Sequence, residues 1–234
     1  APSLVGSEMC IRDRNDLMAS TKGSLTVDGK QYGVPWGYYQ WGVYYRKDLF
    51  DQLGLNVPRD WDEFKWVCAM LKKNGITPIT IGTKFLWTAG GWFDYLNLRI
   101  NGYQFHMDLT AGKVSYEDPR LDAVFDHWRE LIDPGYFLED HASFSWQDAQ
   151  APQINGEAAM YLIGNFYVPT FEAAGIGDQM DFFQFPTIYE GVGVAEDAPT
   201  DTMHIPAGAK NVEDAKKFLA FMSNKDAATN WAKM

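Results

Sequence analysis

The sequence predicts an α/β protein, and three observations support this prediction. Hydrophobic residues make up 46% of the 234 residues and charged residues 22%, which is enough apolar material for a packed core. Short β-rich runs alternate with amphipathic segments that have the helical period of 3.6 residues. Turn pairs such as Asp28-Gly29 and Asn155-Gly156 separate neighbouring segments. Alternating strands and helices are typical of a sheet covered by helices.

A hairpin is the first predicted element. It covers Leu25–Val34, with a turn at Val27-Asp28-Gly29-Lys30 and a short strand at Gln31-Tyr32-Gly33-Val34. Five further runs, rich in β-branched, aromatic or other apolar residues, are predicted as strands: Trp41–Arg46, Ile76–Ile81, Ala158–Ile163, Met180–Phe185 and Thr202–Ile205. The second and third of these five are expected to be buried.

Start and stop signals place two helices in the first half of the chain. Asp60 is the predicted N-cap of a helix over Asp62–Lys73, with Glu63 three residues later as in a capping box. Gly75 ends this helix. The next helix is predicted over Gly90–Asn101.

Three more helical segments are predicted in the second half. The first begins at Asp118-Pro119, with proline at its first position, and ends at Asp133-Pro134-Gly135. Its apolar stripe, which we expect to face the core, consists of Leu121, Val124, Phe125, Trp128, Leu131 and Ile132. The second follows Asn211 as its cap, and the third covers Lys225–Met234. The apolar face of the second consists of Ala215, Phe218, Leu219 and Met222.

Charge and cysteine content exclude several classes of function. The chain has 20 Lys and Arg against 31 Asp and Glu, a net charge of −11, so it is a poor partner for nucleic acid. The sequence has no run of about 18 apolar residues to form a membrane-spanning helix. Of its two cysteines, Cys10 lies in a doubtful leader and Cys68 on the apolar face of a helix, so neither a disulfide framework nor a zinc site is predicted.

The first fourteen residues have no helix or strand period. Ala1–Arg14 resembles translated sequencing adapter at the edge of a metagenomic reading frame, and we expect it to be a non-native leader. An ordinary flexible N-terminus is the alternative. The net charge is the same either way, because two acidic and two basic residues of this segment cancel.

The sequence lacks the common catalytic motifs. It contains no Gly-x-Ser-x-Gly, no phosphate-binding loop and no Gly-x-Gly-x-x-Gly. None of the four histidines (His106, His127, His141 and His204) belongs to a metal-binding motif. Carboxylate pairs such as Glu139/Asp140 could serve a glycosidase, but 31 acidic residues supply such pairs by chance. We therefore predict no catalytic residue, no metal and no cofactor, and a protein that is not an enzyme.

Aromatic residues are the informative excess, since nine Trp, twelve Tyr and fifteen Phe make up 15% of the chain. Many of them lie in Trp36-Gly37-Tyr38-Tyr39-Gln40-Trp41, where glycine breaks the strand alternation. Flat ring faces bind the apolar C–H face of a sugar, while polar neighbours bind its hydroxyl rim. Trp36, Tyr38 and Tyr39 are therefore candidate cleft residues, with core packing as the alternative.

Two more aromatic segments come directly after the two strands that are expected to be buried. The first contains Trp87 and Trp92, on either side of the pair Gly90-Gly91. The second contains Asn165, Phe166 and Tyr167. Ligands of open α/β sheets bind at the carboxyl ends of strands, so both segments are expected to line one cleft.

Several motifs occur in an order and spacing that resemble one known family. They are Tyr32-Gly33-Val34-Pro35-Trp36, Tyr44-Tyr45-Arg46-Lys47-Asp48-Leu49-Phe50, Gly54-Leu55 followed by Trp61-Asp62-Glu63-Phe64, Asn155-Gly156-Glu157-Ala158-Ala159-Met160 and Pro206-Ala207-Gly208-Ala209-Lys210-Asn211. This ordered run, from about Gly29 to Trp231, is similar to the carbohydrate-binding subunits of bacterial ABC importers. These subunits are the maltose-binding-protein-like family 1 of extracellular solute-binding proteins.

The resemblance implies an α/β, periplasmic-binding-protein-like fold of type II, in which two lobes close on a sugar. By position, the resemblance places Trp36, Tyr38 and Tyr39 near the first crossover between the lobes. It places Trp87 and Trp92 on the cleft wall of the second lobe. The segment from Asn165 to Tyr167 matches a strand-end loop where the family often places a stacking ring. Asp201 and His204 fall near the return to the first lobe.

The resemblance also implies partners, location and boundaries. The ligand is expected to be a neutral mono- or oligosaccharide, the partners are the transmembrane subunits of an ABC importer, and the chain is expected to be a monomer. The expected location is periplasmic or lipid-anchored extracellular, with the signal segment outside this sequence. Residues 1–14 are the leader, 15–45 a first-lobe remnant and crossover, 46–153 the second lobe, and 154–234 the return crossover and part of the first lobe.

The chain departs from the family pattern at both ends. An upstream first-lobe segment and C-terminal helices are expected in the family, so we expect an incomplete fold that binds sugar weakly or not at all. Sub-micromolar binding in a titration with an oligosaccharide panel would refute this expectation. Two alternatives remain: a glycoside hydrolase with aromatic subsites, which would release reducing sugar, and a carbohydrate-binding module of a larger protein.

Overall fold

A computed structural model describes residues 25–224 and residue 226, and the chain divides into two compact units. The major unit is Gln40–Asp197. The minor unit consists of Ala1–Tyr39 and Ala198–Met234, of which the described residues are 25–39, 198–224 and 226. The predicted boundaries of the lobes, 46–153 and 154–234, stay predictions.

The described residues form eight strands and eight α-helices. The strands are β1 (Thr26–Val27), β2 (Lys30–Gln31), β3 (Val34–Tyr38), β4 (Trp41–Arg46), β5 (Thr77–Ile79), β6 (Ala158–Gly164), β7 (Met180–Phe183) and β8 (Thr200–Met203). The helices are α1 (Lys47–Leu53), α2 (Trp61–Lys73), α3 (Trp87–Ile100), α4 (Gly102–Thr110), α5 (Asp122–Ile132), α6 (Gln150–Ile154), α7 (Val168–Ala173) and α8 (Val212–Met222). The predicted α/β class is confirmed.

A four-stranded sheet forms the centre of the major unit, in the order β5-β6-β4-β7. β5 and β6 are parallel, whereas β4 is antiparallel to both of its neighbours. Every residue of β4 and β6 is buried, because helices and loops cover both faces of the sheet. The apolar run of β6 is predicted from the sequence as a buried strand and is buried, whereas the run of β4 is predicted only as a strand.

Helix α2 follows its sequence signals closely. Asp60 accepts a hydrogen bond from the Glu63 backbone N–H at 2.8 Å, as expected of an N-cap. Cys68 is fully buried, and burial raises the pKa of its thiol well above the usual value, so it is an inert core residue. The helix ends at Lys73, just before Gly75 in the left-handed conformation.

Helix α3 begins earlier than predicted, at Trp87 instead of Gly90. Gly90 and Gly91, which were predicted at the start of this helix, lie inside it. A Cβ atom at Gly91 would come within 2.5 Å of the Trp41 ring. Close approach of this ring, rather than backbone freedom, therefore explains the glycine at position 91.

Helix α5 buries only part of its predicted stripe. A 3₁₀ turn over Pro119–Leu121 precedes it, with Asp118 as the cap. Val124 and Leu131 are buried, but the side chains of Phe125 and Ile132 are 45% and 51% exposed. The expectation that the whole stripe faces the core is therefore wrong.

Much of the aromatic excess lies in the core of the major unit. The Trp92 ring is fully buried and lies 5.1 Å from the Phe137 ring and 5.6 Å from the Phe185 ring. The Phe185 ring also stacks on the Tyr95 ring at 5.1 Å. Edge-to-face and offset stacked pairs of this kind add to the hydrophobic stabilisation of a core.

A buried arginine ties β4 to the chain that precedes β6. Arg46 donates to both carboxylate oxygens of Asp48, at 2.8 and 2.6 Å, and to the carbonyls of Gln153 and Ile154, at 2.8 and 3.0 Å. The hydrogen bond from Arg46 lowers the pKa of Asp48. The pair thus has a structural role in the described unit.

The minor unit contains the hairpin β1-β2 and the antiparallel pair β3-β8. Val34, Ile205 and Leu219 form its small buried core, to which α8 contributes Leu219. The last predicted strand, Thr202–Ile205, lies two residues earlier, at Thr200–Met203. On the predicted face of α8, Phe218 is 57% exposed. The predicted leader 1–14 and most of the predicted helix 225–234 lie outside the described residues.

Candidate functional site

Four aromatic rings of the major unit converge into one group, which we call the aromatic cluster: Trp41, Trp87, Trp146 and Phe166. The ring centroids of Trp41 and Trp87 are 5.8 Å apart, and those of Trp146 and Phe166 are 5.1 Å apart. Trp87 also lies 6.0 Å from Trp146 and 6.2 Å from Phe166. Most of these pairs meet edge to face. Trp41 is buried, whereas the Trp87 side chain is 39% exposed.

The sheet brings these rings together. Phe166 follows the carboxyl end of β6, and Trp87 opens α3 in the segment that follows β5. These two strands are parallel, so their carboxyl ends meet at one edge of the sheet. Trp41 reaches the same edge because it begins the antiparallel strand β4 opposite Gly164. The Trp87 and Phe166 rings of the two strand-end segments therefore lie close together, and the prediction that these segments line one cleft stays a prediction.

Trp146 is a member of the cluster that sequence reasoning missed. Its loop is fixed, because the Tyr161 hydroxyl donates to the Trp146 carbonyl at 3.1 Å. A second hydrogen bond joins the Lys84 backbone N–H to the Phe144 carbonyl at 3.0 Å. No strand directly precedes Trp146 in the sequence, which is why the strand-end argument did not find it. An aromatic residue between Ser145 and Gln147 was the available signal.

Polar groups border the cluster. The Asn165 backbone N–H donates to the Gln40 carbonyl at 2.9 Å, and the side chains of both residues are exposed. Together with Trp41, they line a groove of about 370 Å³ that also contains the carboxylates of Glu172 and Asp181. Amide and carboxylate groups beside aromatic faces can bind hydroxyl groups while the rings contact C–H surface.

The segment that leads into the cluster has unusual backbone and exposure. Leu86 has φ of +62°, in the left-handed region that a leucine rarely adopts. Its side chain is 72% exposed, and that of Phe85 is 63% exposed. Strained residues and exposed large apolar side chains tend to occur at binding sites.

Two predicted site residues have no solvent-exposed surface in the structure. Trp92 and Tyr167 are both fully buried. The Tyr167 ring packs against the Tyr44 and Phe171 rings, at 5.9 and 5.2 Å, below the strand-end turn instead of above it. We therefore omit both residues from the candidate site, because a fully buried ring has no face for a ligand.

The remaining predicted residues belong to the minor unit. Trp36 and Tyr38 lie on β3, and Tyr39 follows it. The β3-β8 register pairs Tyr38 with Thr200 and Gly37 with Asp201, so the exposed residues Tyr38 and Asp201 lie on opposite faces of this strand pair.

The position of His204 indicates a structural role. Its Nδ1 lies 2.8 Å from the Tyr32 carbonyl, and its Nε2 lies 2.8 Å from the Thr202 hydroxyl. A Cβ atom at Gly33 would clash with the imidazole ring at 2.5 Å. Both ring nitrogens are thus already engaged within the minor unit.

Ionisable residues lie close to the backbone of Trp41. The Trp41 backbone N–H donates to the Asp197 carbonyl at 3.1 Å, and the Tyr95 hydroxyl lies 3.0 Å from the Trp41 carbonyl. Burial raises the pKa of Asp94 to about 6. Burial and repulsion by Asp94 raise the pKa of Asp197 to about 6 as well. Arg99 is buried and paired with Glu196.

Within residues 25–224 and 226, no group of three or more His, Cys, Asp or Glu side chains could hold a metal ion. None of their helices combines the length and the apolar character needed to cross a bilayer. What the arrangement can do is bind a ligand with both apolar and hydroxyl surface.

An aromatic cluster at the carboxyl ends of the strands of an α/β unit is typical of a ligand-binding protein. The chain belongs to the bacterial extracellular solute-binding protein family, whose sequence profile it matches over residues 12–229. This establishes the family that the motifs of the sequence resembled.

Several relatives and one solved structure illustrate the membership. An uncharacterized ABC transporter extracellular-binding protein of Pyrococcus horikoshii is 31% identical over 199 residues, 84% of this chain and 44% of the relative. A multiple sugar-binding protein of Streptococcus mutans is 27% identical over 218 residues, 91% of this chain and 52% of the relative. This chain thus spans about half the length of these relatives.

The solved structure is that of the bacterial solute receptor AcbH, described as having an exclusive preference for β-D-galactopyranose. It is 33% identical, with a TM-score of 0.85 over 97% of this chain and 58% of that one. The likeness confirms the predicted fold, that of two-lobed periplasmic solute-binding proteins.

Proposed function

We propose that this chain binds a neutral saccharide for an ABC-type importer, outside the cytoplasm and without catalysis. The observation that supports this most strongly is the aromatic cluster. The partly exposed Trp87 ring contacts the Trp41 ring, and Trp41 lines one groove with Gln40 and Asn165, whose side chains are exposed. A sugar has the matching pattern, with an apolar face and a hydroxyl rim.

The relatives favour the same ligand class. One is named a multiple sugar-binding protein, and the solved receptor prefers a hexopyranose. Their family is defined as extracellular and solute-binding, which supports a periplasmic or lipid-anchored location and importer transmembrane subunits as partners. A monomeric state is part of the proposal.

The mechanism that we propose is a population shift. Ligand favours the closed form of the two-lobed fold because it contacts both lobes only in that form. The aromatic cluster supplies the contacts on one side, and Trp36, Tyr38, Tyr39 and Asp201 are the proposed contacts from the minor unit. Binding energy is used to stabilise closure, and no bond of the ligand is broken.

Calorimetric titration with neutral mono- and oligosaccharides tests the proposal. We expect weak binding, between micromolar and millimolar, by at least one member of the panel. Trp87→Ala and Trp146→Ala should each weaken it by about tenfold, which corresponds to ~1.4 kcal/mol. Absence of binding at tens of millimolar for every saccharide would contradict the proposal.

Trp66→Ala is the matched control. Trp66 is also a partly exposed tryptophan, with 54% of its side chain accessible, but it lies on α2, away from the cluster. Its replacement should leave the affinity unchanged. An equal loss of affinity in all three variants would show that a general loss of tryptophan surface, rather than the cluster, causes the effect.

A further inference from the structure

A second cavity lies beside the aromatic cluster in the major unit. Its volume is about 650 Å³, within the range of about 300–1,000 Å³ that is typical of small-molecule sites. Apolar side chains form most of its wall, among them Ile81, Ala89, Trp128 and Phe137. Carboxylates of Glu139 and Asp140 lie at the wall as well.

Two loops connect this cavity with the cluster. Thr83 and His141 line the cavity, and Trp87 and Trp146 follow them by four and five residues, respectively. The loops are joined to each other, since the Thr83 backbone N–H donates to the His141 carbonyl at 2.9 Å and the Thr83 hydroxyl lies 2.7 Å from His141 Nδ1. The two loops that carry residues of the cavity and of the cluster are therefore held together by hydrogen bonds.

The backbone of the cavity wall is strained at two positions. Among the residues that the structure describes, three non-glycine residues have positive φ: Asp28, Leu86 and Asp140. Leu86 and Asp140 both line this cavity. Such residues cost free energy and tend to persist where they shape a ligand site.

Apolar surface at the cavity is also left exposed. The side chains of Leu86 and Ile132, both in the cavity wall, are 72% and 51% exposed. Ile132 belongs to the stripe of α5 that the sequence assigns to the core. An apolar stripe that does not face the core is available to an apolar ligand.

We propose that this cavity holds the apolar aglycone of a glycoside whose sugar ring lies against the aromatic cluster. The inference rests on the proposed function, and it narrows the ligand from saccharides in general to glycosides with an aryl or alkyl group. The apolar wall matches such a group, and the carboxylates of Glu139 and Asp140 disfavour an anionic one. The cavity also touches Lys72, but its ammonium group already binds the carbonyls of Pro134 and Gly135.

Matched glycosides provide the test. Methyl and 2-naphthyl glycosides of glucose, galactose and xylose are titrated into the chain by calorimetry. For the sugar that binds, the naphthyl glycoside should bind at least tenfold more tightly than its methyl counterpart. In the Trp128→Ala variant, this gain in affinity of the naphthyl over the methyl glycoside should disappear, while the affinity for the methyl glycoside stays the same.

Two further variants keep the test independent of folding defects. Ile132→Asp changes an exposed side chain, and its carboxylate at the cavity wall should remove the same gain. Phe125→Ala is the control, because Phe125 is a partly exposed residue of the same helix that does not line the cavity. It should keep the full gain.

The outcomes separate the two proposals. Equal affinity for methyl and naphthyl glycosides, or a gain that survives both Trp128→Ala and Ile132→Asp, would overturn the aglycone site and leave the proposed function intact. Absence of binding by every glycoside, and by every saccharide of the panel that tests the proposed function, would refute the proposed function itself. A dimer in solution that Ile132→Asp dissociates would also overturn the aglycone site, because a second copy would then cover the cavity.

Discussion

Gly91 shows how a single missing side chain sets the position of the aromatic cluster. A Cβ atom there would come within 2.5 Å of the Trp41 ring, whereas at Gly90 it would meet no atom within 4 Å. The Trp41 ring can approach α3 only because residue 91 has no side chain.

The two glycines therefore make a matched pair of variants. Gly91→Ala should destabilise the fold by about 1–3 kcal/mol, because the added methyl group overpacks the Trp41 ring. Gly90→Ala should stabilise it by about 0.5–1 kcal/mol, because alanine favours the helix and space is open. Urea unfolding measures both. The close contact would be disproved if both variants changed stability in the same direction.

Asp94 predicts how stability depends on pH. Burial raises its pKa from 3.8 to about 6, so the folded chain holds this proton more tightly than the unfolded chain. The resulting loss of stability sets in as the pH rises above about 4 and is complete above about 6.

Asp94→Asn should therefore be more stable than the natural chain at pH 7.5, and the difference should shrink towards pH 4. It should also lower the pKa of Asp197, which repulsion by Asp94 helps to raise. Urea unfolding at several pH values measures this. Asp126→Asn, at a carboxylate of α5 that is 66% exposed, is the control and should show no such trend. A pH-independent difference for Asp94→Asn would contradict the assignment.

Residue identity alone predicted only part of the site. Trp87 and Phe166 were found because each follows a buried strand, and the sheet geometry then brings them together. Trp92 and Tyr167 satisfy the same rule but are buried, since a ring next to a strand end can turn towards either the core or the solvent. Trp146 escaped prediction because its place depends on a loop fixed by distant hydrogen bonds.

At the scale of elements, the cap of α2 makes a direct prediction. Asp60→Ala removes the acceptor for the Glu63 backbone N–H and should destabilise the fold by about 0.5–2 kcal/mol. Asp62→Ala removes a side chain that is 92% exposed and pairs with Lys65 at 3.0 Å, so it should change stability by less than about 0.5 kcal/mol. Thermal unfolding compares the two. Equal effects would mean that the cap does not stabilise the helix.

Elements with strong local signals were predicted well, and those set by tertiary contact were not. Strand β4 matches its predicted bounds, and α2 starts one residue from its own. The start of α3 was missed by three residues, because two adjacent glycines are unfavourable inside a helix, and the sequence does not show that Gly91 makes room for the Trp41 ring. The apolar stripe of α5 was assigned to the core because of its helical period. This period does not reveal how much of the stripe the rest of the protein covers.

For the whole molecule, the order of weak motifs was more informative than any single residue. The α/β class and the family followed from the sequence, and comparison with known proteins confirms both. The domain boundaries, the non-native leader and the weak affinity stay predictions. The ligand itself could not be read from the sequence, because rings that bind sugars and rings that fill a core have the same composition.

The central claim is that saccharides bind at the aromatic cluster. Indole N–H signals in a ¹⁵N-labelled sample, assigned by single tryptophan variants, report each ring separately during titration with a saccharide that binds. We predict saturable shifts of the Trp87 and Trp146 signals with one common dissociation constant, while the signal of Trp66 stays unchanged. Saturable shifts confined to other tryptophans, or no shift at saturating saccharide, would contradict the account.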